Sequence, residues 1–334
     1  MANNKRETFL DIAKGIAIVC IVLLHIEEGV IPNRLNVFIG SFMISLFFVT
    51  TGWLDAQRIE PISLNELIKK RWKQLAIPYF WWSGLILLFD SILWAVGYYD
   101  SIFMMKETYK TVVLRGCGTL WFLPALFGGE IIWNFIRRKH SVFLLCIALI
   151  FTEIIRYVYA DFFENETSDM MKIIQAPFFT FDNMLSAWIG IAGGFAFRRI
   201  YQKFHTDQLN SVGCFIIGIC LCIIAYYVAN DWPFPVLWDM TAPIIGPVGV
   251  LLLCKAVERS KMVYFFNYWG INSMSLMVTH YSFIMVWCDI FNKLFFNQKD
   301  IAGYPAFIYF TVIIFIAYFA NVFLLKHYPF LFGK

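Results

Sequence analysis

Residues Phe9 to Glu28 read FLDIAKGIAIVCIVLLHIEE. An apolar run opens at Ile12 and closes at His25, with Lys14 near its start and Asp11 just before it. As a helix from Leu10, the run reaches across the hydrocarbon core of a bilayer. A secretory leader would end in a small-residue cleavage site, but this run ends in His-Ile-Glu-Glu, so it reads as a retained first membrane span. His25 stands at the far end of that span. A histidine there can be an ordinary interfacial residue. It can also be a general base, and Glu28, three residues on, shares its helical face and could orient the ring.

The rest of the composition agrees with a membrane protein. The chain has 334 residues, 60% hydrophobic and 15% charged. Soluble domains lie nearer 45–50% apolar and about 25% charged. The 36 Phe, 16 Tyr and 12 Trp suit aromatic belts at the two interfaces. A net charge of +4 without a dense basic patch excludes a nucleic-acid partner. The eight cysteines include one close pair, Cys220 and Cys222, and no Cys/His spacing of a metal site. They read as small buried hydrophobes.

Ten apolar stretches follow one another: 10–26, 36–56, 75–97, 119–136, 141–160, 183–198, 211–229, 241–257, 264–288 and 303–325, the sixth and eighth being the shortest. Basic residues gather at alternate connections: Lys5 and Arg6; Arg58 and Lys69 to Lys73; Arg137 to Lys139; Arg198, Arg199 and Lys203; Lys255, Arg259 and Lys261; and Lys326. The positive-inside rule then predicts an all-α integral membrane bundle of ten spans with both termini cytoplasmic. The whole of 1–334 reads as one membrane-embedded domain with no soluble extracellular domain. Residues 98–118 carry Lys106, Lys110 and Arg115 on the outer side, and their spacing with apolar neighbours predicts an interfacial helix. Residues 161–182 read as an acidic, aromatic outer loop, within which Asn165 to Thr167 fits a glycosylation pattern. Four prolines in 230–249 predict a broken start to the eighth span.

Polar residues at membrane depth are candidate site residues. Asp90 lies in the third span. Glu153 and Arg156 lie three apart in the fifth, where they can form an internal ion pair or contact substrate. Asn272, Ser273 and His280 lie in the ninth. Pro124 inside the fourth span predicts a kink, and Trp121 near its outer end is either an interface anchor or a functional residue. Small residues around Gly52 permit close helix approach. The cations Lys69, Lys70, Arg71 and Lys73 at the inner end of the third span are an orientation signal and also a candidate polyanion site. A base near a phosphate-binding mouth suits group transfer from a phosphorylated carrier, but relays and ion pairs serve transporters equally well, so a transporter of an anionic or sugar-containing solute stays open at this point.

Five motifs in order resemble those of acyltransferase family 3, integral membrane enzymes that include O-acetyltransferases of bacterial polysaccharides and sugars. They are Asp11, Lys14, Gly15 and His25; Phe47, Phe48, Thr51, Gly52 and Trp53; Lys70, Arg71, Lys73, Pro78 and Tyr79; Leu120 to Leu123; and Gly270, Asn272, Ser273, Met274 and His280. Thr51 replaces a serine, and Lys73 stands where a second arginine is common. The resemblance implies cytoplasmic acetyl-CoA (an acyl-CoA) as donor substrate, no permanently bound cofactor, and no metal. It implies a glycan or lipid-linked sugar as acceptor, in the bacterial cytoplasmic membrane among its lipids, with homo-oligomerisation left open. Lys70, Arg71 and Lys73 would hold CoA phosphates, with Asn272 and Ser273 also on the donor side as oxyanion donors. His25 would deprotonate the acceptor hydroxyl with Glu28 as its orienter, and Asp90, Trp121, Glu153, Arg156 and His280 would line the acceptor path. Asp11, roughly 21 Å along the helix from His25, would have a structural or donor-side role.

Overall fold

The computed structural model describes residues 6–26, 31–163, 169–203, 210–231, 235–296 and 304–334, and all regular structure among them is helical. Glu28 and the Asn165–Thr167 pattern lie outside the described residues. The chain forms two compact units, one from Met1–Arg58, Gly190–Leu276 and Cys288–Ala317, the other from Ile59–Ile189, Met277–Trp287 and Tyr318–Lys334.

In the first unit, α1 (Thr8–Ile26) is the central element. It packs with α2 (Asn33–Met43) and α3 (Ser45–Asp55), which together make one span interrupted at Ile44. The core joins Phe9, Ile12 and Ala13 of α1 to Leu46, Val49 and Trp53 of the second span and to Leu251 and Cys254 further on. Glycine sets the closest approaches. The sites where Gly15 and Gly270 would carry a Cβ are filled by the backbone carbonyls of Phe266 and Asp11, so each glycine admits the other's helix. Gly52 meets the carbonyl of Ile191 and Gly194 that of Val49 in the same way, which bears out the close approach expected around Gly52. At the N-terminal end of α1, the carboxylate of Glu7 accepts from Trp53 Nε1 at 2.6 Å, Gln57 Nε2 at 3.0 Å and Arg198 Nη1 at 2.9 Å.

In the second unit, α4 (Leu64–Arg71), a π-helical turn (Trp72–Ala76) and α5 (Ile77–Ala95) run on as one helical rod. The wide turn makes room for Pro78, whose ring would meet the carbonyl of Gln74 in a regular α-helix. The helix expected within 98–118 is α6 (Ser101–Val112), N-capped by the Asp100 side chain. A 3-10 turn (Gly118–Trp121) leads into α7 (Phe122–Arg138). Pro124 therefore falls in the first turn of α7 and not mid-span, so the expected kink is replaced by a change of helical pitch at the junction. Next come α8 (Val142–Phe163) and α9 (Asp169–Lys203).

Two expectations about irregular backbone are corrected. Residues 169–182, read as loop, belong to the 35-residue α9. Pro177 inside it cannot donate to the carbonyl of Ile173, and the Tyr109 hydroxyl of α6 donates to that carbonyl at 2.8 Å instead. The proline-rich start of the eighth stretch is likewise helical from residue 235, since α11 (Pro235–Val257) continues through Pro243 and Pro247. Between α9 and α11 lies α10 (Ser211–Asp231). The ninth stretch is the one that breaks. It divides into α12 (Tyr264–Ile271), α13 (Ser273–Thr279), a second π-helical turn (His280–Met285) and α14 (Val286–Phe296), with Asn272 out of helical geometry between the first two. The chain continues through α15 (Tyr304–His327) to a final 3-10 turn, whose Leu331 carbonyl accepts from Trp82 Nε1 at 2.9 Å.

Eight helical stretches among the described residues are long and apolar enough to cross a membrane: Thr8–Ile26, Asn33–Asp55, Leu64–Ala95, Gly118–Arg138, Val142–Phe163, Ser211–Asp231, Ser273–Leu294 and Phe307–His327. The two sequence spans outside this set are among the shortest. One is the middle of α9, whose apolar part is bounded by Asp182 and Arg198, and the other is the shorter apolar part of α11, Pro243–Val257.

Candidate functional site

His25 occupies the last turn of α1 in the first unit and is half-buried. Its Nδ1 lies 2.7 Å from the carbonyl oxygen of Ile21, one turn back. A carbonyl oxygen can only accept, so in the neutral ring this contact holds the proton on Nδ1 and makes Nε2 the basic nitrogen. The backbone of α1 thereby fixes the ring, while Glu28, the expected orienter, lies outside the described residues. Because the partner is a main-chain atom, no residue type could have signalled it. At the opposite end of the helix Asp11 is buried and paired with Arg6 at 2.5 Å and Lys14 at 2.8 Å.

In the second unit, Lys69, Lys70 and Lys73 are exposed around the first π-helical turn, while Arg71 points inward. Its Nε and Nη2 donate to the two carboxylate oxygens of Glu130 on α7, and its Nη1 donates to Gln74 Oε1 at 2.6 Å. Glu130 is 5% exposed, so the fork-on-fork pair is largely withdrawn from water. The pairing carries no spacing signal in the sequence, since 59 residues separate Glu130 from Arg71.

The remaining predicted site residues divide between several places. Asp90 is buried on α5, where it feels the charge of Glu107 on α6 and is not joined to the Glu153–Arg156 pair. Asn272 and Ser273 sit at the helix break in the first unit, and Asn272 Nδ2 donates to the Tyr268 carbonyl at 2.9 Å. His280 is fully buried at the start of the second π-helical turn. The expected Glu153–Arg156 pair is long, at 3.9 Å. The nearer partner of Arg156 is Asp182 on α9, whose Oδ1 accepts from Nε at 3.2 Å. Reading 161–182 as loop hid that residue. Trp121 stands edge-on to Phe179, with ring centres 6.1 Å apart, and Phe179 precedes Asp182 by three residues on the same helix. Trp121 and Arg156 are thus linked through α9. A cysteine nucleophile finds no support at Cys117, just outside the spans, where burial pushes the thiol up to about 12 despite its contact with Thr111.

Among curated proteins, the chain is similar to the nodulation protein NolL of Mesorhizobium japonicum, with 26% identity over 179 residues, 47% of this chain and 46% of that protein. It is also similar to the nodulation protein NolL of Sinorhizobium fredii, with 26% identity over 181 residues, 48% of each chain. The aligned region spans about half the length of these relatives. No solved structure matches it. The family model described as an acyltransferase domain matches residues 7–324, from the start of α1 into α15. With the helical membrane fold and a match over nearly its whole length, the chain belongs to acyltransferase family 3.

Proposed function

We propose that this protein is a multi-pass membrane O-acetyltransferase that moves an acetyl group from cytoplasmic acetyl-CoA to a hydroxyl of a cell-envelope glycan or lipid-linked sugar, in a bacterial cytoplasmic membrane. The observation that carries the mechanism is the 2.7 Å contact of His25 Nδ1 with the Ile21 carbonyl. It leaves Nε2 as the basic nitrogen, which takes the acceptor's hydroxyl proton as that oxygen attacks the thioester carbonyl carbon. The carbon–sulfur bond then breaks and CoA leaves as a thiolate that takes up a proton. Lys70, Arg71 and Lys73 hold donor phosphates, with Glu130 fixing the guanidinium of Arg71. Family membership supports the acyl transfer, and the relatives' names add no acceptor.

Purified protein in detergent, given radiolabelled acetyl-CoA and a panel of glycans, tests this. Free CoA and labelled sugar should appear together. Movement of glycan across proteoliposomes without release of CoA would overturn the enzyme reading in favour of a transporter.

The proposed topology has ten spans in one membrane-embedded domain, the described eight plus the middle of α9 and α11, with both termini in the cytoplasm. Asp161→Cys and Lys139→Cys, each made in a background lacking the exposed Cys146 and Cys220, test it with a membrane-impermeant thiol reagent in intact cells. Position 161 should label from outside and position 139 only after permeabilisation. The reverse pattern would invert the topology.

A further inference from the structure

The turn after α6 has an unusual backbone. Leu114 has φ of 61°, Gly116 73° and Gly118 53°. A left-handed leucine is disfavoured because its Cβ crowds the backbone, and it persists only where its surroundings hold it. Here the surroundings do so. The carbonyl of Thr111 accepts from the buried Tyr79 hydroxyl at 2.8 Å, and that of Val113 accepts from Thr180 Oγ1 at 3.3 Å. The residue this turn presents is Arg115. Its guanidinium lies over the face of Phe179, 4.6 Å from the ring centre, and the ring of Trp121 meets the same Phe179 in a T-shaped contact. It is half-buried, and among the described residues it has no carboxylate within ion-pair distance.

The neighbouring groups are polar and already arranged. Tyr159 lies within the electrostatic reach of both Arg115 and Asp182, and its hydroxyl accepts from Gln175 Nε2 at 3.2 Å. Arg156 is held by Asp182, so its charge is compensated, whereas that of Arg115 is not. Aromatic rings, amide, phenol and carboxylate together are the donors, acceptors and faces that a pyranose needs. One uncompensated guanidinium beside them calls for an anion. Every residue of this group lies in the second unit.

We infer that the turn 114–118, with α8 and α9, forms an acceptor-binding site for an anionic sugar, in which Arg115 binds the acceptor's carboxylate or phosphate and Tyr159, Gln175 and Asp182 bind its hydroxyls. This deepens the proposed acetyl transfer by naming the class of its acceptor and rests on that reading for its biological sense, while the binding itself is measured without any chemistry.

The test titrates the purified full-length protein with glucose, glucuronate and glucose 1-phosphate, reading tryptophan fluorescence and calorimetry. At least one anionic probe should bind about 10–100-fold more tightly than glucose, the scale of a charge-assisted hydrogen bond. Glucuronate and the phosphate, compared directly, identify which anion the site takes. Arg115→Gln should remove the preference while leaving glucose and CoA binding as in the parent protein, and Arg115→Lys should restore part of it. If Arg115→Gln fails to fold, the parent's preference is read against ionic strength and should shrink as salt rises. Equal affinity for all three sugars, or a preference that survives in Arg115→Gln, overturns the inference. Absence of acetyl transfer to any sugar, with the preference intact, would instead overturn the reading of the reaction.

Discussion

His25→Ala is expected to keep the fold and the affinity for CoA while lowering acyl transfer by about 10²–10⁴-fold, the usual scale for loss of a general base. The fold should survive because the imidazole is half-buried at the last turn of α1 and its hydrogen bond goes to a carbonyl of the same helix. No packing between helices depends on that bond. The activity should fall because Ile21 holds the ring with Nε2 as the base, and alanine supplies no base. His25→Gln, which keeps an amide donor for the carbonyl but supplies no base, should be as inactive as alanine. Single-turnover release of CoA in the presence of acceptor measures both variants. Transfer by either at the parent rate would remove His25 from the mechanism and leave the family assignment standing.

The second large effect is expected at the Arg71–Glu130 pair, and it separates a structural role from a donor role. Removing one member of a buried ion pair leaves an uncompensated charge and costs about 3–5 kcal/mol. Arg71 is 24% exposed, so the lower end of that range applies to Glu130→Ala. Arg71→Ala takes the guanidinium away from the more deeply buried Glu130 and should be at least as damaging to thermal stability. Replacing both, as Arg71→Met with Glu130→Leu, should recover most of the loss, because well-packed apolar side chains can substitute for a buried pair. Calorimetric titration of that double variant with CoA then gives the decision. If Arg71 holds donor phosphates, the stable double variant should bind CoA at least tenfold more weakly than the parent. Parent-like affinity would assign the donor phosphates to Lys69, Lys70 and Lys73 alone.

Much of the architecture was legible because membrane spans are a matter of local composition. A run such as Ile12 to His25 must be helical in lipid, since each backbone polar group has to be satisfied within its own segment. The same reasoning located His25, the cation cluster after Arg58 and the close approach around Gly52. It failed where composition and backbone disagree. Polar residues 169–182 read as loop, yet they continue α9, because a hydroxyl from Tyr109 satisfies the carbonyl that Pro177 leaves open. Pro243 and Pro247 read as a break, yet α11 runs through them, and the interruption falls instead at Asn272, where sequence offered a polar residue and no proline.

What the sequence alone determined is therefore the class of molecule and the order of its helices, since these follow from hydropathy and motif spacing along the chain. The tertiary structure decided the partners: Ile21 for His25, Glu130 for Arg71, Asp182 for Arg156 and Phe179 for both Arg115 and Trp121. The first of these is a main-chain oxygen and carries no side-chain signature. The others join different helices or turns, where pairing is fixed by how helices pack and not by any spacing a single sequence displays.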